Sequence, residues 1–96
     1  MSYRGNPDPE AAARAAFAAE SLTPHAWSNA AAVRYDWHAH PYDKVLFCIR
    51  GGITFHTDTG DHVLAPGDRL DIPMGAPHAA TVGAAGVTCL EAAHPA

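Results

Sequence analysis

Ninety-six residues carrying a formal charge of -4 suffice for one hydrophobic core and exclude two independently stable domains. The six Lys and Arg are scattered without forming a stripe, which argues against nucleic-acid binding, and no apolar run approaches the length of a transmembrane helix, which argues against a membrane partner. Cys48 and Cys89 lie in apolar, strand-like segments and read as reduced, buried thiols.

Met1 to Pro7 is rich in Gly, Asn and Pro and is expected to lie loosely on the surface. Asp8 followed by Pro9 signals a helix start, because the carboxylate caps orphan amides and proline suits the first helical position. The helix is expected from Pro9 to about Glu20, with Phe17 as its only large apolar residue; Pro24 forbids its continuation. Arg14 interrupts the Ala-rich run, and Glu10 and Glu20 flank it, so it reads as soluble helix and not as a targeting segment. The expected location is the cytoplasm. Residues 1–24 thus form an arm with a short helix, and residues 25–96 form the rest of a single domain.

From Trp27 onward, short β-branched, aromatic and aliphatic runs alternate with Gly, Pro and Asp, the texture of an all-β sandwich or barrel. Strands are expected near Ala31–Trp37, Lys44–Arg50, Ile53–Thr57, Asp61–Leu64, Arg69–Ile72, His78–Val82 and Val87–Ala92. Turns are expected at Gly51-Gly52, Asp58-Thr59-Gly60, Ala65 to Asp68, Pro73 to Gly75 and Gly83 to Gly86. In the strand from Lys44, alternation puts Lys44, Leu46 and Cys48 on one face and Val45, Phe47 and Ile49 on the other. Both faces are largely apolar and a barrel interior covers only one. The other should meet the N-terminal helix or a second copy of the chain, so a homodimer is expected, through that face or the segment before it.

His38-Ala39-His40 places two imidazoles on one face of an extended segment, and His78 starts a later strand just after the turn of residues 73–77. Three convergent neutral nitrogens would hold a divalent ion facially and leave coordination positions open. The run from His38 through Pro41, Tyr42, Asp43 and Lys44 to Gly51 resembles the first cupin motif, and the segment from Gly67 through Pro73 and Gly75 to His78 resembles the second. The resemblance implies a double-stranded β-helix, the cupin jelly-roll barrel. It also implies His38, His40 and His78 as ligands of a divalent transition metal such as Fe, Mn, Ni or Zn.

Three positions depart from the motifs. Lys44 stands where the family has a metal-binding glutamate, Ala32 where it has the initial glycine, and Val82 where it has the terminal asparagine. Similar three-histidine sites occur in cupin-related dioxygenases, so loss of the glutamate does not by itself mean loss of metal. Alternation turns Asp43 away from the ligands unless a bulge intervenes. Glu91 could approach from the last strand, but reads as exposed or ion-paired. His25, His56, His62 and His94 have no motif support and read as surface residues. Tyr35, Trp37 and Tyr42 bracket the first two ligands and read as barrel packing, with a substrate-orienting hydroxyl as the alternative.

Two functions follow from this reading. One is a metal-dependent enzyme of dioxygenase, isomerase or lyase type, acting on a small polar or anionic molecule, with Lys44 and Tyr42 as candidate catalytic residues. Three neutral ligands leave the ion's charge uncompensated, which favours an anionic substrate. The other is a non-catalytic cupin that binds or senses a small ligand, its metal structural or absent.

Overall fold

The computed structural model describes residues 8–94; the arm expected for Met1 to Pro7 lies outside them. Asp8 accepts a hydrogen bond from the Ala11 amide at 3.0 Å and Pro9 opens the helix, so the cap and the proline act as expected. Helix α1 runs Pro9–Ala19, followed by strands β1 (His25–Asn29), β2 (Arg34–His38), β3 (Asp43–Thr57), β4 (Gly60–Leu64), β5 (Arg69–Ile72) and β6 (His78–His94). Among the described residues, no helix is long and apolar enough to cross a membrane.

The two long strands organise the fold, and each serves two layers. The first half of β3 pairs with β5 on one side and with the second half of β6 on the other, while that half of β6 also pairs with β1. The second half of β3 pairs with β4 and with the first half of β6, which in turn pairs with β2. All pairs are antiparallel, and the result is the expected all-β jelly roll with one short helix.

Gly51-Gly52 and Gly83 to Gly86 are not turns between strands, as their composition suggests, but bends inside β3 and β6. The β3–β6 register slips between Cys48 and Arg50 and between Gly51 and Ile53, as β-bulges require. At the bend the two backbones nearly touch: a Cβ on Gly51, whose φ is +73°, would sit 2.0 Å from the Gly86 carbonyl oxygen, and one on Gly83 would sit 3.3 Å from that of Gly52. No side chain fits at Gly51. The first expected strand also changes. Ala30 and Val33 close a tight turn through a 3.4 Å backbone hydrogen bond, so β2 begins at Arg34, and the preceding segment forms β1, which the sequence reading omits.

Alternation along β3 separates two apolar clusters as expected. Leu46 and Cys48 point inward with Ile53, Phe55, Val82 and Cys89, whereas Val45 and Ile49 point outward with Leu90 and Ala92. Ala13, Phe17 and Leu22 cover the outward cluster, with Phe17 edge-on to Phe47 at 5.3 Å. The guanidinium of Arg69 closes the end of this seam, 5.6 Å over the Phe47 ring and bonded to Glu20 beyond the helix and to Asp71. Burying Phe17 stabilises the docked helix by roughly 1.5–3 kcal/mol. A helix this short is marginal on its own, so the seam is what holds it.

Ala32, at the position where the first cupin motif has glycine, has φ +66°. An L-residue in that region carries roughly 1–2 kcal/mol of strain, and a glycine's greater freedom in the unfolded chain offsets about 0.4–1 kcal/mol of any relief. Urea unfolding should therefore show Ala32→Gly to be more stable by about 0.5–1 kcal/mol. Gly51→Ala should be destabilised by more than about 3 kcal/mol, because the clash is with backbone and cannot be relieved by a rotamer change. An unchanged midpoint for Gly51→Ala would show that the β3–β6 crossing is not tight.

Candidate metal site

The three histidines come from the open end of one layer. His38 is the last residue of β2 and stands opposite His78, the first of β6; the register slip between Tyr35 and His38 turns the His38 ring to the same side as His78. His40 follows in the loop before β3, where its carbonyl accepts the Gly75 amide at 2.9 Å, tying that loop to the turn that delivers His78. Ring centroids lie 4.8 Å apart for His38 and His40, 4.3 Å for His38 and His78, and 5.1 Å for His40 and His78.

The hydrogen bonds set which nitrogens face the centre. Nδ1 of His38 is 2.7 Å from the Asp36 carbonyl oxygen, and Nδ1 of His78 is 3.0 Å from that of Ala76. A carbonyl only accepts, so in neutral rings the proton sits on Nδ1 and the lone pair on Nε2. Nε2 of His40 and of His78 are buried without a hydrogen-bond partner. Each ring offers one ligand atom, and the three atoms lie within 4.8 Å of one another; a shared ion at about 2.0–2.1 Å from each nitrogen would draw them in by small side-chain rotations. Orphaned buried acceptors and backbone-anchored Nδ1 atoms are what a metal centre needs, so the residues fit a divalent ion.

A cavity of about 570 Å³ opens beside the cluster, lined in part by His38, His78, Lys44, Glu91, Trp27 and Tyr35. Lys44 is 8% exposed and its ammonium lies 3.4 Å from Oε1 of Glu91. The indole Nε1 of Trp27 donates to the same oxygen at 3.0 Å. Lys44 therefore stands in the cavity wall and pairs there with Glu91. Glu91 has the parity of Val87 and Cys89, both inward, so alternation alone places it on the cavity side.

The other candidates separate. Tyr42 stacks on His40 at 4.9 Å and 29°, supporting the ring from behind. Oδ1 of Asp43 accepts the Met74 amide at 2.7 Å, which fixes the loop before His78 and directs the carboxylate away from the cluster. Tyr35 packs on the inner core, its hydroxyl bonded to Asn29, whereas Trp37 is 58% exposed and does not pack in the barrel. His56 is partly buried and bridges Asp61 at 2.8 Å and Thr81 at 2.9 Å, a clamp across strands that its surface assignment does not describe.

A jelly roll with a three-histidine centre at the mouth of its cavity defines the class of fold and site that the two motifs resemble. The chain belongs to the Cupin domain family, whose pattern matches residues 31–90. No curated protein sequence matches it. Among solved structures it is similar to the DMSP lyase DddQ from Ruegeria pomeroyi DSS-3, with 26% identity and a TM-score of 0.70 over 76% of this chain and 38% of that one. A structure from work on the DMSP lyases RdDddP and RnDddQII gives 27% and 0.72 over 80% of this chain and 40% of that one. The chain thus spans well under half the length of these two proteins. An RmlC-like cupin from Shewanella frigidimarina NCIMB 400, 23% identical with a TM-score of 0.68 over 78% of this chain and 67% of that one, shares the fold.

Burial, and after it the Lys44 cation, lower the His40 pKa; burial likewise lowers that of His78. Both rings are thereby kept neutral, the form that binds metal. In the unfolded chain they protonate near the ordinary imidazole value of about 6.5. Stability of the metal-free protein is thus fully present above about pH 6.5 and falls below it, because the unfolded state takes up protons that the folded state resists; the loss ends once the depressed folded values are passed. Denaturant unfolding of metal-free protein should show this fall between pH 7 and 5, and His40→Gln should reduce it. A stability unchanged over that range would contradict the burial of these rings.

Proposed function

We propose that the protein is a small metal-dependent cupin enzyme in which His38, His40 and His78 hold a divalent transition metal and the adjoining cavity receives a small organic anion. The observation that carries this reading is the pair of buried Nε2 atoms of His40 and His78 without partners, clustered with His38 beside a cavity of about 570 Å³ that His38 and His78 line. Imidazole donors suit Fe, Mn, Ni or Zn. Such an ion supplies Lewis acidity and a template for substrate oxygens. Around it, Lys44 in the cavity wall attracts the substrate's anionic group, and Tyr42 holds the His40 ring in place. Of the dioxygenase, isomerase and lyase chemistries, lyase chemistry has the added support of likeness to two DMSP lyase structures.

Lys44 in the family's carboxylate position favours a second reading, a ligand-binding cupin without resident metal. Elemental analysis of protein purified without chelator or metal-affinity steps decides between them: near-stoichiometric metal is expected, and its absence would favour the second reading. His38→Ala and His78→Ala should each weaken binding of added Zn(II) more than about 100-fold, since losing a direct ligand exceeds the 10–100-fold effect of outer partners. Lys44→Glu should tighten Zn(II) binding by about tenfold, some 1.4 kcal/mol, and weaken binding of carboxylate ligands. Equal zinc affinity in Lys44→Glu and the parent would show that residue 44 does not feel the ion.

The two cysteines stand opposite each other across β3 and β6, both buried and unbridged, and burial pushes the Cys89 thiol up to about 12. Inert thiols so close together support a reducing, cytoplasmic setting. Of the two surfaces expected for a homodimer, α1 covers the Val45 and Ile49 face, which leaves the segment before β3, where Trp37 is exposed; Val63 and Met74 are further exposed apolar residues that a second copy would cover.

A further inference from the structure

Four groups of the cavity wall carry charge, and they are not equally free to act. The Lys44 ammonium is engaged by Glu91, so it serves as a cation that attracts an anion and not as a base. Glu91 is different. Both of its contacts, from Trp27 Nε1 at 3.0 Å and from Lys44 Nζ at 3.4 Å, fall on Oε1. Oε2 has no hydrogen-bond partner among the described residues, yet it is not one of the sealed, unpartnered buried atoms, and the residue lines the cavity. An oxygen that is neither bonded nor sealed faces the cavity space. Asp36 and Arg34 also line the cavity, but both are exposed and stand on β2, which among the described residues pairs with β6 alone.

We infer that Glu91 is the general base of the site, with Oε2 as the accepting atom and Lys44 and Trp27 as the groups that position it. The inference rests on the proposed function only for the manner in which substrate is held opposite the carboxylate. The chemistry is proton transfer from a carbon next to a carbonyl or carboxylate group. Oε2 takes the proton, the bonding pair stays on the substrate and spreads onto its oxygen, and the proton returns from Oε2 to product or water, so no oxidant or reductant enters. The Trp27 hydrogen bond and the Lys44 ion pair hold Oε1 in place, and a general base needs such positioning to meet its proton within hydrogen-bond reach. The substrate class is a small carboxylic or oxo acid with an acidic C–H, its anionic end drawn to Lys44.

The test is deuterium uptake into the methyl group of pyruvate in D₂O, followed by proton NMR with zinc-loaded protein. Exchange above that of the same protein after denaturation is expected, and Glu91→Gln should slow it at least about 100-fold with zinc content unchanged; Glu91→Asp should retain part of the rate. Because Glu91→Gln leaves Lys44 unpaired, the charge-balanced Lys44→Met/Glu91→Gln variant is measured beside it, since replacing both partners of a buried pair costs far less than removing one. A wild-type rate in either variant, or no exchange by the parent protein, overturns the assignment. The metal reading fails separately: a His38→Ala/His78→Ala variant that binds zinc as tightly as the parent would remove the metal centre while leaving the comparison at Glu91 intact.

Discussion

The site depends on the crossing of β3 and β6 at their glycines. Gly51 approaches Gly86 so closely that not even a methyl group fits, and because of that approach each strand can leave one layer and continue in the other. One continuous β6 therefore carries His78 at its start and Glu91 near its end, both facing the same cavity. Straight strands would place residues so far apart in sequence tens of ångströms apart, at about 3.3 Å per residue. The bend brings the imidazole cluster of one layer against the Lys44–Glu91 wall of the other.

Electrostatics then dictates the composition of that wall. A lysine in place of a carboxylate puts a cation, 8% exposed, where its charge is felt by His40 and His78, and an isolated ammonium in that position would be costly. Glu91 compensates from the neighbouring strand, and Trp27 from β1 holds the same oxygen. The Lys44 charge in turn helps depress the His40 and His78 pKa values, after burial. A cation that would repel a metal thus also favours neutral rings at His40 and His78, so replacing the carboxylate does not simply subtract from the site.

Much of this was legible in the sequence because it rests on alternation and on local turn chemistry. Leu46 and Cys48 against Val45 and Ile49 follow from alternation and the helix start from Asp8-Pro9, while the choice of His38, His40 and His78 rests on the resemblance to the two cupin motifs. What was not legible depends on contacts between distant segments. Glycine pairs signal a turn and a bulge alike, and only the partner strand decides which, so β3 and β6 were each read as two strands. β1 was missed because His25 to Asn29 has little β-branched or aliphatic character and is held by pairing with residues 87–91. The bulge that turns His38 inward leaves no mark in β2 itself. Glu91 reads from the sequence as exposed or ion-paired, and it is paired, with Lys44; what the sequence alone does not give is its partner, although its parity with Cys89 points to the cavity side.

The position of the carboxylate bears on chemistry as well as on charge. A glutamate at residue 44 would offer its lone pairs to any ion that the histidines held. Carried on β6 at Glu91 instead, the carboxylate stands beside residue 44 in the same wall, with Oε1 held by Trp27 and Lys44. A side chain that would be a ligand at one site is a candidate base at the other, and imidazole ligands, being uncharged when they bind, would leave the charge of a bound ion uncompensated. Lysine at residue 44 and glutamate at residue 91 are therefore one feature of the site: with a metal bound, the first would leave a coordination position open, and the second would supply a proton acceptor beside it.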